Sequence, residues 1–262
     1  VSAVATPVRP AGPGTATVVA RAAGAEWVRL RTVRTTWWCL LAAAVTIVGT
    51  GVLMAFDAEN VTETGVLPPA TWAGEFGVLL GQFALLVAVL LAVTQEYASR
   101  AIGPTLQWTP RRGVLLAARV TVPVLVATVA GVLLALVADV AARLIEPGLT
   151  LSAADVADSV GRIAAVLAAG GVLAVGLGLL LRSTAGALAA VFLLQLVLPF
   201  LLPAFGVEWM ADLAELLPGS AAIWTLLGEP DMTAAQATGQ LVGWSAVALA
   251  AGGWSLLRRD AG

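Results

Sequence analysis

The stretch EYASRAIGPTLQWTPRR, residues 96–112, places one acid, Glu96, and three guanidinium groups, Arg100, Arg111 and Arg112, in a polar segment between two long apolar runs. These side chains do not make a catalytic set. The chain contains no histidine, and its fourteen cationic side chains are all arginine. Ser-His-Asp catalysis and a His-ligated metal need imidazole, and a phosphate-binding P-loop needs its lysine, so these chemistries are excluded. Cys39, the one cysteine, lies in an apolar run and reads as inert packing rather than as a nucleophile. Two uses remain for 96–112: the arginines anchor the chain to lipid headgroups, or the whole segment is a docking surface for a partner. Tyr97 and Trp108 suit either use, since both residue types are common at membrane interfaces.

The elements that position this segment are membrane helices. The chain has 262 residues, 60% of them hydrophobic and 11% charged, with mean hydropathy +0.95; an ordinary soluble domain has roughly a quarter of its residues charged. Apolar windows near 37–56, 77–95, 114–138, 163–181, 184–205 and 239–257 predict six spans. They are continuous runs without two-residue alternation, so helices are expected rather than a barrel, giving an all-α integral membrane protein. With the N-terminus cytoplasmic, only Arg143 and Arg162 of the fourteen arginines fall on the outer side. Of the sixteen acids, Glu26, Glu96 and Asp260 fall inside and the other thirteen in or beside the outer loops. The arginine bias predicts that both termini are cytoplasmic. Residues 1–22 are expected to be a mobile cytoplasmic tail, without the pattern of a signal peptide, and 23–262 a single six-span domain.

Three segments carry a resemblance: EWVRLRTVRTTWW (26–38), EYASRAIGPTLQWTPRRGVLLAARV (96–120) and LLRSTAGALAAV (180–191). The second fits the pattern E-Y-(x)4-I-(x)2-T-L-(x)3-P-R-R, departing from it at Ser99-Arg100-Ala101, where a glycine is common, and at Gly103-Pro104. Together they resemble the membrane permease subunits of type-2 ABC exporters, especially the actinobacterial kind. The resemblance implies that 96–112 forms a coupling helix seated in a cleft of an ATP-binding subunit. Glu96, Tyr97, Arg100, Ile102, Thr105, Leu106, Pro110, Arg111 and Arg112 would carry that contact. It further implies that Trp27, Arg29, Arg31, Arg34, Trp37 and Trp38 belong to an interfacial elbow helix before the first span, and that Gln82 and Gln195 lie in spans lining the transport path. The implied assembly, in a bacterial cytoplasmic membrane, pairs two permease chains, identical or different, with two separate ATP-binding subunits. Those subunits hold the ATP and magnesium, this chain binds no cofactor, and no nucleic acid is involved. A secondary transporter or a non-transporting membrane scaffold is the alternative; a membrane-embedded enzyme is disfavoured by the missing His and Lys and the scarcity of intramembrane acids.

The remaining signals are local. Thr109-Pro110 reads as an N-cap and first helical residue opening the third span, and Arg119 as a snorkelling anchor. Trp209, Met210, Leu213, Leu216 and Leu217 share one helical face, predicting a short amphipathic outer helix ended by Pro218-Gly219, one of the short extracellular helices that the resemblance implies before the last span. Thr233 and Gln236 form a capping-box pattern before the last span. Gly170, Ala174 and Gly178, and Ala248 with Gly252, predict close helix crossings. Asp139 and Arg143 are spaced to pair with each other, Gln82 and Gln195 to bond between helices or face the path, and Pro199 and Pro203 to kink the fifth span.

Overall fold

A computed structural model describes residues 14–58, 67–98, 112–228 and 232–258. The described chain is helical. Its elements are α1 (Thr15–Thr32), α2 (Arg34–Phe56), α3 (Thr71–Ala98), α4 (Arg112–Ile145), α5 (Ala153–Leu181), α6 (Thr184–Phe192), a π-turn (Leu193–Val197), α7 (Leu198–Ala204), α8 (Glu208–Glu215), α9 (Pro218–Leu227) and α10 (Ala234–Arg258). Helix α1 thus begins inside the 1–22 stretch expected as tail. Among the described residues, five helical segments are long and apolar enough to cross a membrane: α2, α3 as far as Gln95, α4 from Leu116, α5, and the continuous run from α6 through the π-turn to α7. That is the character of a multi-pass membrane protein. Helix α10, 25 residues long, covers the sixth expected window and is not one of these five among the described residues.

Burial divides the helices into a centre and a rim. Two-thirds of the apolar window of α3 (67%) and 61% of that of α5 are buried, against 22% for α2, so α3 and α5 form the axis of the bundle. The rim helices turn large apolar side chains outward, among them Leu41, Val45 and Leu53 on α2 and Leu125, Val129 and Leu133 on α4. Surfaces of that kind suit a lipid environment. The core runs through Val78, Leu85, Val89, Ile163, Leu167 and Val175, with Ala221, Ala222 and Leu226 of α9 built into it.

Small residues let the helices meet at backbone distance. Ile47 of α2 rides over Gly77 and Gly81 of α3: a Cβ at Gly77 would stand 2.4 Å from the Ile47 carbonyl oxygen, and one at Gly81 2.2 Å from Ile47 Cγ1. At the α5–α10 crossing, Gly252 faces the Gly176 carbonyl and Gly176 faces Ala248. Gly170 and Gly178 look elsewhere, toward Gln195 and Leu90 respectively. Gly77→Ala is expected to destabilise the fold by about 1–3 kcal/mol, because the new methyl meets backbone that cannot rotate away. Gly49→Ala on α2, with nothing within 4 Å, is expected to be neutral or mildly stabilising; thermal unfolding of both variants in detergent checks the contrast.

Local signals set the helix ends. Ser152 and Asp155 cap α5 reciprocally, and Thr233 with Gln236 does the same for α10, with Thr233 N–H donating to Gln236 Oε1 at 2.9 Å. Helix α8 is followed at once by α9, which Pro218 opens at its first position. Pro218-Gly219 therefore starts a second helix as well as ending the first. Residues 99–111 of the expected coupling helix, with the Thr109-Pro110 helix start, lie outside the described residues.

Candidate functional site

Of the expected docking residues, Arg100, Ile102, Thr105, Leu106, Pro110 and Arg111 lie outside the described residues. Glu96 and Tyr97 fall in the last turn of α3, and Arg112 is the first residue of α4. What the structure shows is how the two helices that carry this segment are held at their shared end.

They are held by α1. Its inward face is ionic: Glu26, 6% exposed, pairs with Arg29 one turn along and approaches Arg119 of α4, with Glu26 Oε1 3.6 Å from Arg119 Nε. Arg29 Nη2 donates to the carbonyl of Ala92 on α3. Leu30 is buried beside them. One turn of α1 thereby grips both α3 and α4. Arg119 is 0% exposed, so it is a buried ionic partner and not the snorkelling anchor that its sequence context suggested. The opposite face of α1 carries exposed Trp27, Val28 and Arg31, and Arg34, Trp37 and Trp38 are likewise exposed on α2. At Val33 the chain leaves α-helical geometry for one extended residue, and Trp37 Nε1 donates to the Arg31 carbonyl at 3.0 Å across this bend. Of the expected elbow residues, Arg29 turns inward into the clamp and the other five face outward.

A second ionic cluster ties the opposite end of the bundle. Arg162 on α5 donates from Nη2 to Glu75 Oε1 of α3 at 2.5 Å, meets Asp158 of its own helix at 3.1 Å, and donates from Nη1 to the Leu226 carbonyl in the last turn of α9 at 3.3 Å. A cation at a helix C-terminus is favoured by the helix dipole. Next to it, Asp139 of α4 accepts from Gly74 N–H at 2.8 Å. Asp139 is thus joined to α3 rather than to Arg143, as its spacing had suggested. A Cβ at Gly74 would lie 2.4 Å from Asp139 Oδ1, so the glycine is what allows the carboxylate to reach the backbone. Arg162, paired with Glu75 and bonded to Leu226, and Asp139, bonded to Gly74, thus join α3, α4, α5 and α9.

No family model and no curated protein matches this chain. Its functional reading therefore rests on its own residues. Among the described residues no group of three or more His, Cys, Asp or Glu side chains is arranged to hold a metal ion.

Gln82 and Gln195 are both buried, at 1% and 4% exposure. Gln82 donates from Nε2 to the Leu79 carbonyl of its own helix at 3.1 Å. Gln195 lies in the π-turn and lines a small cavity with Ser245 and Gly170, a cavity that Gln82 does not reach. Sequence reasoning missed Glu26, Glu75 and Arg162 as members of ionic clusters; the available signal was an acid or arginine set within an otherwise helical apolar pattern.

Proposed function

We propose that this chain is the membrane-spanning permease subunit of an ATP-driven exporter, with α10 as its sixth span and both termini cytoplasmic. Substrate passes between two permease chains by alternating access, and separate subunits that bind ATP and magnesium drive the cycle against the 96–112 segment. One observation carries the reading. The helices on either side of that segment, α3 and α4, are both gripped by α1 through Glu26, Arg29 and Arg119, so a push on the loop moves a rigid three-helix unit rather than a loose hairpin. A motor acting from outside the membrane needs such a packed element to transmit its stroke. The cluster of Arg162, Glu75 and Leu226 fits the same scheme as a tie that closes the other end of the bundle.

The test is biochemical. The tagged chain, purified from its native membrane, is expected to bring down an ATPase subunit. Glu96→Ala and Arg111→Ala are each expected to lower stimulation of that ATPase about tenfold, the equivalent of roughly 1.4 kcal/mol, while the permease keeps its wild-type unfolding midpoint. Recovery of no ATPase, or transport that survives ATP depletion and collapses with an ion gradient, contradicts the reading and favours a secondary transporter.

A further inference from the structure

The fifth span is bent by its own sequence. Pro199 has no N–H to offer the Gln195 carbonyl four residues earlier, and Pro203 has none for Pro199. The chain responds with the π-turn Leu193–Val197, after which Leu198 N–H bonds to the Leu193 carbonyl, five residues back. The first turn of α9 is seated on this site: a Cβ at Gly219 would lie 2.4 Å from the Gln195 carbonyl oxygen and 2.6 Å from Pro199 Cγ. Only a glycine lets α9 come so close.

The Gln195 side chain turns from the bend toward α5, where a Cβ on Gly170 would stand 3.2 Å from its Nε2 and 3.5 Å from its Oε1. There it meets a cavity of about 10 Å³, bordered by Gly170, Gln195, Pro218 and Ser245 and otherwise by apolar side chains of α5, α9 and α10. That volume matches a single water-sized group. Gln195 is only 4% exposed, and its amide borders this cavity. A primary amide facing an otherwise apolar cavity is costly unless a small polar group meets it there. Ser245 Oγ, 2.6 Å from the Leu241 carbonyl and 2.9 Å from that of Ala169, spends its one proton on these oxygens and keeps its lone pairs as acceptors.

We propose that this cavity is a binding site for one water molecule, held between the Gln195 amide and the Ser245 hydroxyl, and that this water supports the bend in the fifth span. The ligand is neutral because no charged side chain borders the cavity, and a larger ligand does not fit. The water satisfies the amide at the point where proline interrupts the helical ladder, as ordered waters do at breaks in membrane helices. The inference concerns this chain alone and stands or falls independently of the exporter reading.

Water-edited solid-state NMR of the full chain in lipid bilayers, with glutamine side chains labelled with nitrogen-15, tests it. The Gln195 amide is expected to receive magnetisation from water several-fold faster than the Gln82 amide, whose Nε2 donates to the Leu79 carbonyl and whose unpaired Oε1 does not border this cavity. Gly170→Ala brings a methyl into the cavity and is expected to abolish the Gln195 signal while leaving Gln82 unchanged. Ala222→Val, which fills the same cavity from α9, serves if the first variant does not fold. A Gln195 build-up as slow as that of Gln82 in the unsubstituted chain, or one that survives the added methyl, overturns the proposal.

Discussion

Glu26→Ala is expected to destabilise the folded chain by about 3–5 kcal/mol, the cost of removing one partner from a buried ion pair. Glu26 is the acid facing both Arg29 and Arg119, and Arg119 is 0% exposed. Its loss takes a buried carboxylate away from a guanidinium deep in the bundle. The double replacement Glu26→Leu with Arg119→Met is expected to recover most of the loss, because a well-packed apolar pair of similar size can substitute for a buried ion pair. Denaturant unfolding in detergent micelles measures both. A Glu26→Ala variant within about 1 kcal/mol of the unsubstituted chain would show that α1 is held to α3 and α4 by packing alone.

Arg162→Ala is the second large effect. Glu75 is 4% exposed and would be left in the interior without its cation, and the α9 carbonyl at Leu226 would lose its donor. The Arg162 side chain is itself 35% exposed, so solvent screens the pair and the expected cost is about 2–3 kcal/mol rather than the full buried-pair value. Asp158 provides the control, since its side chain is 72% exposed and Asp158→Ala is expected to change stability by less than about 0.5 kcal/mol. Arg162→Lys is expected to recover only part of the loss, because an ammonium lacks the planar fork that reaches Glu75, Asp158 and the Leu226 carbonyl together. Thermal unfolding of the three variants in lipid nanodiscs distinguishes these outcomes; equal midpoints for Arg162→Ala and Asp158→Ala would remove the tie from the account.

Five of the six expected spans were readable because apolar run length reports directly on helices in lipid. The Thr233–Gln236 cap was readable because its spacing is local. Helices α3 and α5 extend further than their apolar windows, starting at Thr71 and Ala153, since Glu75, Asp158 and Arg162 read as loop residues until their mutual pairing is seen. Both ionic clusters were hidden for the same reason. Arg119, which Glu26 approaches, and Arg162, which pairs with Glu75, lie on helices far along the chain, and each residue alone looks like an ordinary interfacial charge. The face of α1 that carries Glu26, Arg29 and Leu30 is inward yet charged, so an apolar projection could not identify it. Helix α9 escaped notice for the opposite reason: buried on nearly every side, with Ala221, Ala222 and Leu226 in the core, it lacks the polar stripe that marks a surface helix. Pro199 and Pro203 announced a break in the fifth span, but the π-turn and its seat on Gly219 depend on the contact with α9.

The central claim is that 96–112 lies on the cytoplasmic side of the membrane, where a motor subunit grips it. Cysteine accessibility tests this most directly. In a Cys39→Ala background, Thr105→Cys is expected to resist a membrane-impermeant maleimide in intact cells and to react in inside-out vesicles stripped of the partner, while Glu208→Cys on α8 reacts in intact cells. Labelling of Thr105→Cys from outside intact cells would contradict the account.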